Sequence, residues 1–95
     1  MTKIGISLPI YNTPLPEIPA MAKQAEDAGF DSVWSYEIYS SPYVALTAAA
    51  LATERIALGT AIAHASTRSP WVTANTALDI DTYAHGRMLL GIGMG

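Results

Sequence analysis

The stretch Arg55–Ala63, which reads R-I-A-L-G-T-A-I-A, determines the class of fold. It is nearly apolar after its first residue. A strand with one face in water would alternate apolar and polar residues, whereas a strand covered on both faces is apolar throughout. Such strands are typical of parallel sheets with helices packed on them. We therefore predict one buried parallel strand over residues 55–63.

On each side of this stretch the sequence predicts a helix. A serine followed by a proline opens both helices, at 41–42 and at 69–70. The serine hydroxyl caps the first turn, and the proline has no amide hydrogen to lose there. The alanine-rich run 45–52 has strong helix propensity. The second helix is expected to end near Gly86, since glycine readily adopts the left-handed backbone conformation.

Further outward, the same alternation of strand and helix continues. Residues 3–9, 32–37 and 87–92 have strand patterns. A helix before Gly29 is indicated by apolar residues at helical spacing, namely Ile18, Met21, Ala22 and Ala25. The predicted order is βαβαβαβ, and such short connections require parallel strands joined by helical crossovers. Both a doubly wound sheet and a barrel satisfy this pattern.

A dinucleotide-binding fold is weakly supported. The run Gly91–Gly95 reads G-I-G-M-G, which lacks the G-x-G-x-x-G spacing. The first strand-to-helix turn, where that fingerprint belongs, spans residues 9–16 and contains no glycine.

Composition limits the class of function. The chain has 95 residues, 51% of them apolar, a net charge of −3 and only five Lys plus Arg. This balance argues against a nucleic-acid-binding surface. No cysteine is present, so we expect no disulfide and no thiolate metal site. We expect no bound metal. Because neither a signal peptide nor a membrane-spanning run is recognisable, we also expect no membrane partner and a cytoplasmic location.

Four segments match the motifs of one enzyme family in order and spacing. They are A-E-D-A-G-F-D-S-V-W at 25–34, T-E-R-I-A-L-G-T-A at 53–61, R-S-P at 68–70, and Asp81 followed by G-R-M-L-L-G-I-G at 86–93. Together they resemble the luciferase-like monooxygenase family, which includes enzymes that use coenzyme F420. In the last segment Tyr83 and Ala84 replace the family's Leu and Ser.

The resemblance implies a TIM (β/α)₈ barrel, an α/β fold that takes about 250 residues. Residues 1–95 would then supply four strands and three helices, the N-terminal half of a single barrel domain that is truncated after strand four. The implied activity is hydride transfer between a reduced cofactor, F420 or alternatively FMN, and a small organic substrate. An O₂-using FMN monooxygenase and a non-catalytic flavin-binding barrel are the alternatives. The whole protein is expected to be a homo-oligomer.

Active sites of such barrels lie at the carboxyl ends of the strands. That rule, with the resemblance, selects Glu37 as the catalytic candidate. The expected cofactor-binding residues are Pro9, Tyr36, Ala61, Ile62, Ala63 and Gly93. The rule also selects Ile10, beside Pro9.

Glu37 has two interpretations. A carboxylate near the cofactor could hold substrate or relay a proton, or it could cap the next helix or pair with a base. The following residue is Ile38, where many relatives have a histidine. The resemblance thereby favours the F420-dependent branch of the family, which lacks that imidazole.

The loop after the third strand carries further candidates. The resemblance implies that the peptide between Ala61 and Ile62 is cis and forms a bulge beneath the cofactor. Arg68 could bind a phosphate or carboxylate with two nitrogens, or lie solvated. His64 is expected at the surface more often than in catalysis.

The remaining singled-out residues have structural interpretations. His85 is expected to cap the C-terminal end of the third helix, where a partial negative charge favours a cation. Asp81 and Arg87 are expected to pair there. Trp34 and Trp71 are expected to pack in the interior.

Overall fold

The computed structural model describes residues 2–9 and 13–95, so the expectation for Ile10 lies outside the described residues. Within these ranges six strands and three helices form. In chain order they are β1 (Gly5–Ser7), α1 (Ile18–Asp27), β2 (Ser32–Ser35), α2 (Pro42–Ala52), β3 (Ala57–Thr60), β4 (Ala63–His64), α3 (Pro70–Tyr83), β5 (Met88–Leu89) and β6 (Ile92–Gly93). A 3₁₀ turn at Leu15–Glu17, which the sequence did not predict, precedes α1.

The strands form two parallel sheets whose order follows the chain. The larger sheet has the order β1-β2-β3-β5, and the smaller pairs β4 with β6. Val33 lies beside Leu58, and Leu58 beside Met88. The predicted βαβαβαβ order and the adjacency of successive strands are confirmed. This order is the one a barrel requires, because a doubly wound sheet reverses direction at its centre.

The prediction of one unbroken strand over 55–63 is wrong, because the strand is split by a bulge. The amide of Ala61 donates to the Ser35 carbonyl (2.8 Å). In a regular parallel ladder the amide of Glu37 would then bond the Ala61 carbonyl. It bonds the carbonyl of Ile62 instead (3.2 Å), so one extra residue is inserted on this strand. The Ala61–Ile62 peptide is cis, as the resemblance implied.

The fourth strand is likewise split, into β5 and β6, where the sequence predicted one strand over 87–92. The split lies at the level of the bulge in the neighbouring strand. The Thr60 hydroxyl donates to the Gly91 carbonyl (2.7 Å) and accepts from the Gly91 amide (2.9 Å). The Thr60 hydroxyl thus makes hydrogen bonds to Gly91 that backbone groups make in a regular ladder. A Cβ at position 91 would collide with the Thr60 carbonyl oxygen, so only glycine fits there.

Helix boundaries follow the predicted signals. Ser41 Oγ accepts from the Tyr43 amide (3.3 Å), and Ser69 Oγ accepts from the Val72 amide (3.2 Å). Gly29 has a φ of +94° directly beyond α1, as a helix-terminating glycine should. Over the described ranges, none of the helices combines the length and apolar character needed to cross a membrane.

The sheet has one covered and one open face. Val33 and Leu58 are fully buried against the helices. Residues that alternate with them, Trp34 and Leu89, lie on the opposite face and are partly exposed. In a closed barrel this second face is the interior. Hereafter the two are called the helix face and the inner face.

Two expected interactions differ in the structure. Arg87 does not pair with Asp81. Its guanidinium donates to backbone carbonyls beyond the end of α2, including those of Thr53 (3.0 Å) and Ile56 (2.9 Å). Asp81 instead accepts from the Met88 amide (3.0 Å).

One tryptophan differs from its expected packing, whereas His85 lies at the C-terminal end of α3, as predicted. Trp71 is 72% exposed on the first turn of α3, so its expected packing is wrong within this chain. His85 lies exposed beyond α3 at a φ of +54°.

Glu26 is a buried carboxylate that sequence reasoning left without a role. It lies at the end of α1 and is 6% exposed. Its Oε2 accepts from the amides of Glu54 (3.0 Å), Arg55 (2.6 Å) and Ile56 (2.9 Å), which lead into β3. Burial alone would raise its pKa, but these three amides and Lys23 outweigh burial and lower the pKa to about 2.

We predict that Glu26→Gln lowers the free energy of unfolding of the whole protein by about 3 kcal/mol at pH 7, because three successive amides lose the charged acceptor that the buried Glu26 provides. The folded-state pKa of about 2 lies below the ordinary glutamate pKa of 4.5. The stabilisation is therefore complete above pH ~4.5 and is lost as the pH falls toward 2. Urea unfolding over this pH range measures it.

Asp27→Asn is the matched control. Its side chain is 64% exposed and pairs with the half-exposed Lys23 (3.2 Å), so the change should cost under about 0.5 kcal/mol. Equal losses in the two variants would contradict the role of Glu26.

Candidate functional site

The carboxyl ends of the strands bring most of the predicted site residues to one edge. Tyr36 follows β2, Ala61 and Ile62 form the bulge after β3, and Gly93 ends β6. Hydrogen bonds join these strands in sequence, since Ala61 bonds Ser35 and Ala63 bonds Gly91 (2.9 Å). Pro9 is exposed and follows β1, the strand on the other side of β2.

Two predicted residues lie on the helix face at this edge. Ala63 is fully buried and belongs to the hydrophobic core. Glu37 is two residues beyond Ser35, which is also fully buried, and its carboxylate is only 14% exposed. By strand alternation Trp34 and the next residue but one, Tyr36, share the inner face instead.

Glu37 pairs with Arg68 through both of its oxygens. Arg68 Nη1 lies 3.0 Å from Oε1, and Nη2 lies 2.6 Å from Oε2. The amide of His64 also donates to Oε1 (2.8 Å). One carboxylate therefore joins the end of β2, the end of β4 and the loop before α3. Of the two interpretations, pairing with a base is the geometry observed.

The electrostatics of this cluster keep it ionised. The Arg68 hydrogen bond, against the opposing effect of burial and with the help of the His64 amide, lowers the pKa of Glu37 to about 2. The same carboxylate raises the pKa of Arg68. The Arg68 guanidinium lies 4.9 Å from the centre of the Tyr43 ring in α2, a cation–π distance. A carboxylate held in this way is poorly suited to carrying a proton near pH 7.

Trp34 covers the inner face of three strands. Its indole nitrogen donates to Ser32 Oγ (2.8 Å). A Cβ built on Gly5 of β1 or on Gly59 of β3 would collide with the indole ring. The ring thus lies across the two glycines, and Trp34 packs as predicted, but on the inner face and not against the helices.

Glycines also recur at alternate positions 91, 93 and 95, in β6 and beside it. A Cβ on Gly93 would lie 2.8 Å from Cδ1 of Ile62, and one on Gly95 would lie 2.6 Å from Nε2 of His64. The side chains after the bulge therefore extend over the glycines of the neighbouring strand. Sequence reasoning selected only Gly93 from this row as a cofactor-binding residue, although glycine at every second position already indicates a face without side chains.

A separate groove of about 440 Å³ lies between the segment before α1 and the start of α2. Leu15, Tyr39 and Val44 line it. It borders the same ends of the strands but lies between helices, outside the inner face.

The parallel order and the helix-covered outer face define this chain as part of a (β/α)₈ barrel. The luciferase-like monooxygenase family model matches residues 2–95. The chain belongs to that family.

Individual relatives agree with this assignment. The 5,10-methylenetetrahydromethanopterin reductase of Methanolobus tindarius is 37% identical over 88 residues, which cover 90% of this chain and 27% of the relative. The solved coenzyme F420-dependent tetrahydromethanopterin reductase of Methanopyrus kandleri superposes with a TM-score of 0.89 at 35% identity, covering 98% of this chain and 27% of that one.

A third relative binds a different cofactor. The oxygenating constituent of 3,6-diketocamphane monooxygenase from Pseudomonas putida, solved in complex with FMN, superposes with a TM-score of 0.88 at 25% identity. The match covers 100% of this chain and 30% of that one. The chain thus spans about a quarter to a third of the length of these relatives.

We predict that Glu37 and Arg68 are energetically coupled. Glu37→Gln and Arg68→Met should each lower the unfolding free energy of the whole protein by about 2 kcal/mol, because each leaves a half-buried charged group without its partner. The double variant should cost at least about 1 kcal/mol less than the sum of the two. Chemical denaturation measures all three.

Arg68→Lys is the matched control, since it keeps the charge but loses the two-point contact, and it should cost less than Arg68→Met. The folded pKa of Glu37 lies below 4.5, so the coupling should persist above pH ~4.5 and vanish toward pH 2. Strictly additive losses would refute the coupling.

Proposed function

We propose that the protein is an oxidoreductase that transfers a hydride between a reduced flavin-type cofactor and a small organic substrate. Coenzyme F420 is the proposed cofactor, with FMN as the alternative. The observation that carries the proposal is the inner face at the strand ends, in a family whose named members include F420-dependent reductases and an FMN-bound monooxygenase.

The residues of the inner face fit a flat tricyclic ring. Trp34 and Ile62 offer apolar surface, Gly93 adds backbone without a side chain, and Tyr36 and His64 offer hydrogen-bonding groups at the rim. A mostly apolar wall with a few polar groups is what cofactor pockets provide. When bound, the cofactor supplies the hydride chemistry, and the protein orients it.

We assign Glu37 a positioning role within this site. Both of its oxygens are engaged by Arg68, and the His64 amide binds it as well. Through the His64 amide, Glu37 thereby holds the main chain that follows the bulge. Ala61 and Ile62 contact the ring in this proposal, and Ala63 supports them from the core.

The preference for F420 rests on Ile38. This side chain is 63% exposed and follows Glu37, where many relatives carry a histidine. An aliphatic group neither donates nor accepts protons, so it would give no acid–base help in a reaction with oxygen. Hydride transfer by a deazaflavin does not involve oxygen and needs no such residue.

We also propose that residues 1–95 form the N-terminal half of one barrel domain in a larger protein. The inner face, with Leu89 44% exposed, would be covered by the remaining strands. The whole protein is proposed to form a homo-oligomer, for which the exposed Leu51 of α2 and Leu78 of α3 offer apolar surface. The cytoplasmic location stays a prediction.

We predict that the whole protein binds oxidised F420 more tightly than FMN, by about tenfold or more. The measurement is an anaerobic titration of each cofactor, followed by visible absorbance. With a panel of small carbonyl and imine compounds, reduced F420 bound to the protein should then be reoxidised without oxygen, because the site transfers hydride directly to substrate.

The rival functions give different outcomes. Tight FMN binding with oxygen-dependent turnover, and no response to F420, would overturn the cofactor assignment in favour of a monooxygenase. Cofactor binding with no turnover across the panel, in air or without it, would favour a non-catalytic binding protein.

A further inference from the structure

His64 lies on the inner face, beyond the bulge. Ile92 of β6 lines a groove together with Pro70 and Thr73 of α3, so Ile92 faces the helices. Its neighbour Gly93 must then face the opposite way. Residues paired across a parallel ladder share a face, and His64 pairs with Gly93. The imidazole therefore lies on the same side of the sheet as Trp34.

The imidazole is directed along β6, toward the carboxyl end of that strand. A Cβ on Gly95 would lie 2.6 Å from Nε2 of His64 and 2.8 Å from Cδ2. His64 is only half-buried. Within the described part of the chain, its hydrogen bonds are made by the main-chain nitrogen and oxygen. Its ring nitrogens are thus available to a ligand.

The backbone that carries this ring is firmly fixed. The His64 amide donates to Glu37 (2.8 Å), whose carboxylate is held in turn by Arg68. On either side the amides of Ala63 and Ala65 donate to carbonyls of the next strand, at 2.9 and 2.7 Å. A side chain on such a support is pre-organised for binding, because little freedom remains to be lost.

We propose that His64 binds the cofactor, donating a hydrogen bond from its imidazole to a carbonyl or hydroxyl oxygen at the rim of the flat ring. The inference rests on the proposed function. It gives this chain a polar contact on the inner face that Ile38 does not supply. The proposed contact is a single hydrogen bond.

The test uses the whole protein and titrations with F420 and with FMN. His64→Leu keeps an apolar side chain of similar bulk but removes the donor, and affinity should fall about tenfold, the upper end for one hydrogen bond. His64→Gln restores a donor and should bind within about threefold of the unchanged protein. His85→Gln, which removes the other histidine, should bind normally.

A second readout reports contact directly. Cofactor addition should shift the ring ¹⁵N resonances of His64 and leave those of His85 in place. Thermal unfolding verifies that His64→Leu is folded, which is expected because the ring is half exposed.

The outcomes separate the two proposals. If the unchanged protein binds neither cofactor, the proposed function fails and this inference fails with it. If it binds a cofactor, but His64→Leu binds equally well or the His64 resonances do not move, this inference alone is overturned and His64 is a solvated surface histidine.

Discussion

The extra residue at Ala61–Ile62 is the constraint on which the rest of the site depends. Strand alternation is strict, so inserting one residue exchanges the faces of all that follow. Here it directs Ala63 into the core, while Ile62 and His64 lie over the glycines of the next strand. The neighbouring strand divides at the same level, where the Thr60 hydroxyl bonds Gly91. One local irregularity thus organises two strands.

How much the sequence could predict depends on the range of each interaction. Strand and helix order follow from local patterns and caps such as those at Ser41 and Gly29, and both were predicted correctly. The bulge has no local signal in 55–63 and came only from family resemblance. The contacts of Glu37 with Arg68 span 31 residues, so no spacing rule reveals them. Arg87 was misassigned for the same reason, because its carbonyl partners come from a distant helix end.

The two buried carboxylates illustrate how the barrel separates stability from function. Glu26 lies where α1 leads toward the amino end of β3 and binds three successive amides. Glu37 lies at the carboxyl ends and organises a loop and the residues after the bulge. Both have a lowered pKa, yet only the second is near the proposed pocket. A perturbed pKa therefore identifies a satisfied carboxylate here, and its position along the strand identifies its role.

The glycine row at 91, 93 and 95 limits how the proposed pocket can evolve. Pockets commonly accommodate larger ligands when a wall side chain is trimmed, but a wall made of backbone has nothing left to trim. Every substitution in the row adds atoms, and those atoms meet Thr60, Ile62 or His64. Selection for a different ligand size must therefore act on the opposing side chains or on the loops, while this wall stays at a fixed depth.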